Sequence, residues 1–193
     1  MKRPSRRERG FILGYIMLAL ALLGLVTALL SRLQDQQAVA QWVERAQATL
    51  RDNIQVIHSQ IMYCAASNMT EEAGLVAAMP PSSDPTVGDL LTDVLCFPSG
   101  GPGNPLFDGT NTVFAPRPPQ GFSDWRYVNS LPTAPNGEIY VYTSTSDPNG
   151  IAAANRLRLA IPGDRLQVTN SSGVSTVTFF LRRPPSELSG DPP

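Results

Sequence analysis

Hydrophobic and polar positions divide the chain into three regimes. From Phe11 to Leu30, twenty successive residues carry no charge. At about 1.5 Å rise per residue such a run, coiled as a helix, spans about 30 Å, the thickness of a bilayer's hydrocarbon core. Beyond it the apolar pattern narrows to a stripe. Val39, Val43, Ala46, Leu50, Ile54, Ile57, Ile61 and Cys64 recur at steps of three or four, while Gln41, Glu44, Arg45, Arg51, Asp52 and Gln55 fall off the stripe. That is one face of an α-helix. No proline or glycine lies between Gly24 and Gly74, so nothing obliges a break. The pattern predicts one helix from Phe11 to near Cys64, apolar all round over residues 11–31 and amphipathic over 32–64. A coiled-coil stalk would use the same stripe, although it runs for fewer than four heptads. Cover by the chain's own later segments explains it as well.

After Cys64 the long period is lost, and residues 65–122 read as largely irregular. Met79–Asp84, running into Pro85, is a connector. Thr86 followed by Asp89 resembles a helix N-cap with its carboxylate partner. Val87, Leu90, Leu91, Val94 and Leu95 then sit at helical spacing, which predicts a short helix over about 86–96 that ends on Cys96. Residues 97–121 hold six prolines and five glycines and read as a long ordered loop.

From Trp125 the signals change to strands and tight turns. WRYVNSL, EIYVYTSTS, IAAANRLRLA, RLQVT and VSTVTFFLRR are separated by Pro-Asn-Gly-type turns, at Ala134–Gly137, Asp147–Gly150, Ile161–Asp164 and Asn170–Gly173. Leu157, Leu159 and Ile161 alternate with Arg156 and Arg158, and Val177, Phe179 and Leu181 with Thr178, Phe180 and Arg182. Period two between such turns predicts hairpins. Four or five antiparallel strands in meander order over residues 123–183 need one face covered, and the stripe on the long helix is the obvious cover. The predicted class is α+β, a long N-terminal helix packed on an antiparallel sheet. Residues 184–193 form a polar, Pro-rich tail.

Charge sharpens the N-terminal reading. Residues 1–10 hold five basic side chains against Glu8, a net charge of +4, and the rest of the chain holds ten basic and fifteen acidic groups, or −5. That balance does not support a basic nucleic-acid surface. The arginines ahead of the apolar run place the N-terminus in the cytoplasm by the positive-inside rule, and everything after Ser31 across the membrane. A cleavable secretory signal has a shorter apolar core with a small-x-small site close behind it. Here Ala38-Val39-Ala40 lies beyond the hydrophilic stretch Ser31–Gln37, too far for that reading.

Candidate chemistry is sparse. Cys64 and Cys96 both fall on the outer side of the membrane, where an oxidising compartment favours one disulfide over two buried thiols. A bridge closing a loop of about 33 residues stabilises by about 3.5–4 kcal/mol in the chain-entropy treatment. His58 is the sole histidine and sits at the margin of the stripe, a packing position rather than a catalytic one. No G-x-S-x-G accompanies it. Glu71-Glu72 are adjacent and do not converge, and Asp108-Gly109-Thr110-Asn111 lacks the ligand spacing of a calcium loop. Asn68-Met69-Thr70 and Asn170-Ser171-Ser172 match the glycosylation sequon, which only a eukaryotic secretory route uses. No phosphate-binding glycine loop, metal site or cofactor site is predicted, and no catalytic activity.

A short basic leader ending in Gly10, then Phe11, then an unbroken helix that runs from membrane into domain, then a loop and an antiparallel sheet, together resemble the type IV pilin and type II secretion pseudopilin superfamily. The sequence-specific part of the resemblance covers about residues 6–30. It implies cleavage of the Gly10–Phe11 bond by prepilin peptidase and N-methylation of Phe11. It also implies assembly with other pilin or pseudopilin subunits. The chain departs from the family at the fifth residue after the cut. There the family carries a glutamate thought to neutralise a neighbouring subunit's amino terminus, and here stands Tyr15. A buried carboxylate in lipid needs a partner, so its loss removes both a cost and an attraction. The known kind that lacks it is a tip-located minor pseudopilin.

The function expected is thus a structural subunit, of minor or tip type, of a type IV pilus or type II secretion pseudopilus. It would sit as a single-pass protein of a bacterial inner membrane, with its C-terminal domain periplasmic. The alternative is an uncut, inner-membrane-anchored periplasmic binding or assembly-scaffold protein. The Pro/Gly-rich loop at 97–121 is the expected place of subunit-specific contacts.

Overall fold

The computed structural model describes residues 6–69, 74, 78–97, 102–107, 109, 114–131 and 137–183, with side chains from residue 14 onward. The chain divides into two compact units, Met1–Trp42 and Val43–Pro193.

Helix α1 runs Arg6–Asn68, beyond both ends of the helix expected from Phe11 to near Cys64; Gly10, Gly14 and Gly24 lie within it without breaking it, and no proline or glycine follows before Gly74. Within the first unit every described side chain from Gly14 to Gln41 is exposed. Within the second unit the stripe is buried: Val43, Ala46, Leu50, Ile54, Ile57, Ile61 and Cys64 are all at most 4 % exposed. Val39, the first member of the predicted stripe, is 44 % exposed and lies outside the core.

The stripe is covered by a five-stranded antiparallel sheet. After β1 (Asp89–Leu90), a 3-10 turn (Leu91–Asp93) and the small ladder of β2 (Leu95–Cys96) with β3 (Asn104–Pro105) come β4 (Arg126–Asn129) and β5 (Ile139–Thr145). Helix α2 (Pro148–Ala160), β6 (Leu166–Ser171) and β7 (Val174–Arg182) follow. The strand order is β1-β4-β5-β7-β6. Tyr127, Ile139, Val141, Leu166, Val168, Val177 and Phe179 point inward and form one core with Leu50, Ile54, Ile57 and Ile61. The class is α+β, a long helix laid on an antiparallel sheet, a layout compatible with a pilin-like fold. Burying four such aliphatic side chains contributes about 1.5–3 kcal/mol each before the entropy of ordering is counted.

Two predicted elements are corrected. IAAANRLRLA is helix, not strand. Asp147 caps it, its side chain accepting from the Asn149 amide at 2.9 Å, and Pro148 occupies the first turn. Cap, first-turn proline and an alanine run outweigh the Leu/Arg alternation. Gly150, Ala153, Ala154 and Leu157 face inward at helical spacing, and Leu159 is 84 % exposed. The meander fails for the same reason: the chain leaves β5 through α2, enters β6 at the edge, and turns back into β7 beside β5. The hairpin turn Ser172-Gly173 does form, with positive φ at both residues, the tight two-residue kind that matches strand twist.

The second correction is the short helix at 86–96. Gly88 has φ +77°, which a helix does not admit, and Asp89 and Leu90 pair with Tyr127 and Arg126. The polar groups read as a cap act elsewhere. Asp84 accepts from the Thr86 and Val87 amides at 2.8 and 3.0 Å, and Asp89 accepts from the Ser83 amide at 2.7 Å. Leu91 and Val94 still reach the core, three residues apart across the 3-10 turn.

Candidate functional site

The residues the sequence singles out fall in two places. Gly10, Phe11 and Tyr15 lie in the first unit. The α1 backbone is helical through Gly10 and Phe11, whose side-chain surroundings are not described, and Tyr15 is 61 % exposed. From Ile16 to Leu30 the large apolar side chains are exposed on every side of the helix. Helix α1 is long and apolar enough to cross a membrane, with a mean hydropathy of 2.2 over an 18-residue window near its N-terminus. Its hydroxyls at Thr27 and Ser31 bond to the helix itself. The Thr27 hydroxyl donates to the Leu23 and Gly24 carbonyls at 3.0 and 2.9 Å, and the Ser31 hydroxyl to Ala28 at 3.0 Å. In hydrocarbon such groups need an internal partner, so the segment suits a lipid surrounding.

Cys64 and Cys96 are brought together as a disulfide, Cα to Cα 5.8 Å, across a separation of 32 residues. The bridge pins the last turns of α1 to strand β2. Sequence reading missed its neighbour Asn68, whose amide donates to both sulfurs at 3.4 and 3.6 Å while its Oδ1 is buried with no partner among the described residues. A side chain one helical turn beyond a cysteine was the available signal.

A groove of about 520 Å³ opens on the second unit, walled by Leu90, Leu91, Phe107, Phe114, Pro116 and Trp125. One wall is the loop predicted to carry partner contacts, and Asn53 on α1 ties that loop down by donating to the Arg117 carbonyl at 2.7 Å. Trp125 is 2 % exposed and its indole N–H meets no acceptor among the described residues. No spacing in the sequence foretold the groove, because its walls come from four separate segments.

The charged and polar groups are arranged for packing. His58 stands edge-on to Phe179, ring centroids 6.0 Å apart. Burial, with a contribution from the Arg165 charge, pulls its pKa below the ordinary value. Hydrogen bonds from Thr86 and Val87 hold the Asp84 carboxyl below its usual range. Burial pushes the Tyr127 hydroxyl well above its range, and it donates to the Pro80 carbonyl at 2.8 Å, which Asn129 also serves. Burial first, then Glu138 and Tyr142, raise Tyr140. Among the described residues no group of histidine, cysteine, aspartate or glutamate is placed to hold a metal ion. Glu71, Glu72, Asp108, Thr110 and Asn111 lie outside the described residues.

Compared with known proteins, the chain finds no matching family model, no matching curated protein and no matching solved structure.

Proposed function

We propose that the protein is a structural subunit, of minor or tip type, of a type IV pilus or type II secretion pseudopilus. Prepilin peptidase cuts it between Gly10 and Phe11 on the cytoplasmic side, Phe11 is methylated, and the apolar half of α1 packs into a bundle of sibling helices. The domain from Val43 onward lies in the periplasm or on the filament. The observation that carries this reading is the continuity of α1, with an all-round apolar segment and a stripe buried under an antiparallel sheet on one helix. Tethered modules usually hang from their anchors on a flexible linker; here no proline or glycine intervenes. A charged leader keeps the N-terminus out of the bilayer, and its removal leaves a helix end able to leave lipid for a helical bundle. Tyr15 in place of the family's glutamate suits a subunit used once, at an end, more than the repeating shaft subunit. The groove beside Trp125 and the loop that walls it are the surface offered to neighbouring subunits.

The test is intact mass and N-terminal sequencing of the protein extracted from the membranes of its own host. A chain beginning at methylated Phe11 is the expected result. A chain still beginning at Met1 overturns the reading and leaves an uncut anchored protein.

A further inference from the structure

The outward side of α2 is not used by the core. Arg156, Arg158, Leu159, Pro162 and Arg165 are exposed on it and on the turn that follows. Between Pro148 and Arg165 there are three arginines and a single acidic residue, Asp164, in a chain whose net charge past the leader is −5. Leu159 is the most exposed of the described large apolar side chains, at 84 %. A leucine held out in water between arginines, on a helix whose other side is packed in the core, presents the apolar and cationic groups that a phospholipid surface takes up.

Placement along the chain points to the surface it meets. Arg156 pairs with Glu44 at 3.8 Å, which sets α2 beside the start of the packed part of α1. Glu44 follows Leu30, the last residue of the apolar run, by fourteen residues. Fourteen residues reach at most about 50 Å fully extended and about 21 Å as helix. Whatever angle the two units adopt, insertion of the apolar run holds α2 at a high effective concentration near a bilayer. The rest of the domain is acidic and is repelled by an anionic surface, so this basic face is the one that is drawn to it.

We propose that this face of α2 docks on an anionic phospholipid surface. Arg158 and Arg165 take headgroup phosphates through their guanidinium forks, and Leu159 enters the boundary between headgroups and acyl chains. The inference rests on the reading that residues 11–30 are inserted in a membrane.

The test uses the full chain in lipid nanodiscs, carrying one environment-sensitive fluorophore on an introduced cysteine, with Cys64 and Cys96 already bridged. Labels stand at Leu159→Cys on the face, at Leu22→Cys in the apolar run, and at Phe114→Cys as an exposed control 71 % accessible. Discs of phosphatidylcholine with or without phosphatidylglycerol carry spin-labelled lipid as quencher. The expected result is quenching at Leu22 in all discs, quenching at Leu159 in anionic discs that falls with salt, and none at Phe114. Arg158→Gln lowers the docked-to-undocked ratio about five-fold, the worth of one basic residue at a charged surface. Quenching at Leu22 without quenching at Leu159 overturns the docking and leaves the anchored reading standing. A Leu159 signal that follows protein concentration and ignores lipid charge also overturns it, in favour of contact between copies. No quenching at Leu22 overturns both readings.

Discussion

Gly88 offers a direct test of how the connector is held against the sheet. It has φ +77°, and a Cβ built on it stands 2.6 Å from the Tyr127 carbonyl oxygen and 2.6 Å from Val128 Cγ2. Both belong to strand β4, whose backbone cannot swing aside. Gly88→Ala therefore meets two penalties. The left-handed conformation costs an L-residue about 1–2 kcal/mol, and the collision costs about 1–3 kcal/mol in the manner of overpacking. Relief requires the segment to lift, which breaks the bonds from Arg126 to the Gly88 carbonyl at 2.9 Å and from Tyr142 to the Val87 carbonyl at 2.7 Å. Gly173 separates the two penalties. Its φ is +78° and no atom lies within 4 Å of its Cβ position, so Gly173→Ala carries strain alone. The expected losses are about 2–5 kcal/mol for Gly88→Ala and about 1–2 kcal/mol for Gly173→Ala. Against a domain stability of about 5–15 kcal/mol, both are readable. Urea unfolding of the full chain in detergent, followed by tryptophan fluorescence, measures them, and hydrogen exchange at Leu91, whose amide donates to Trp125 at 3.2 Å, reports the lift. Equal losses for the two variants would refute the collision.

Two further outcomes are expected. Reduction of Cys64–Cys96 should lower stability by about 3.5–4 kcal/mol through the freed loop, shown by urea midpoints with and without reductant; no shift would mean that the bridge constrains nothing the packing does not. His58, the sole histidine, has a folded-state pKa below its unfolded value near 6.5. Above that pH both states are neutral and nothing is lost. As pH falls through 6.5 the unfolded chain takes up a proton first, so stability declines until the folded-state pKa is passed. Unfolding measured from pH 7.5 to 5 should show this decline in the native chain and not in His58→Gln; a decline that persists in the variant assigns it elsewhere.

Which parts of the fold were legible in the sequence depended on whether the deciding interaction was local. The stripe from Val43 to Cys64 repeats every three or four residues without a breaker, so period alone identified the buried face of α1. Alternation identified Val177 and Phe179 as the inward residues of β7, although Phe180 from the opposite set is buried too, and Asn170–Gly173 announced its hairpin. The stretch 151–160 deceived because Arg156-Leu157-Arg158-Leu159 alternates, yet its state is decided upstream by the Asp147 cap and Pro148. Residues 86–96 deceived in the opposite sense: their apolar spacing fits a helix, but pairing of Asp89 and Leu90 with β4 and the positive φ of Gly88 decide otherwise.

By itself the sequence determined the apolar run and its flanking charge, the helix that carries the run into a domain, the sheet that covers its stripe, and the two cysteines left to pair. Each follows from local periodicity, hydrophobicity or count, which one segment contains whole. The tertiary structure alone decided the strand order, the crossover through α2, the groove beside Trp125, the amide of Asn68 over the disulfide, and the exposed arginine-flanked leucine of α2. Those depend on contacts between residues far apart in the chain, and no segment encodes a partner it does not contain.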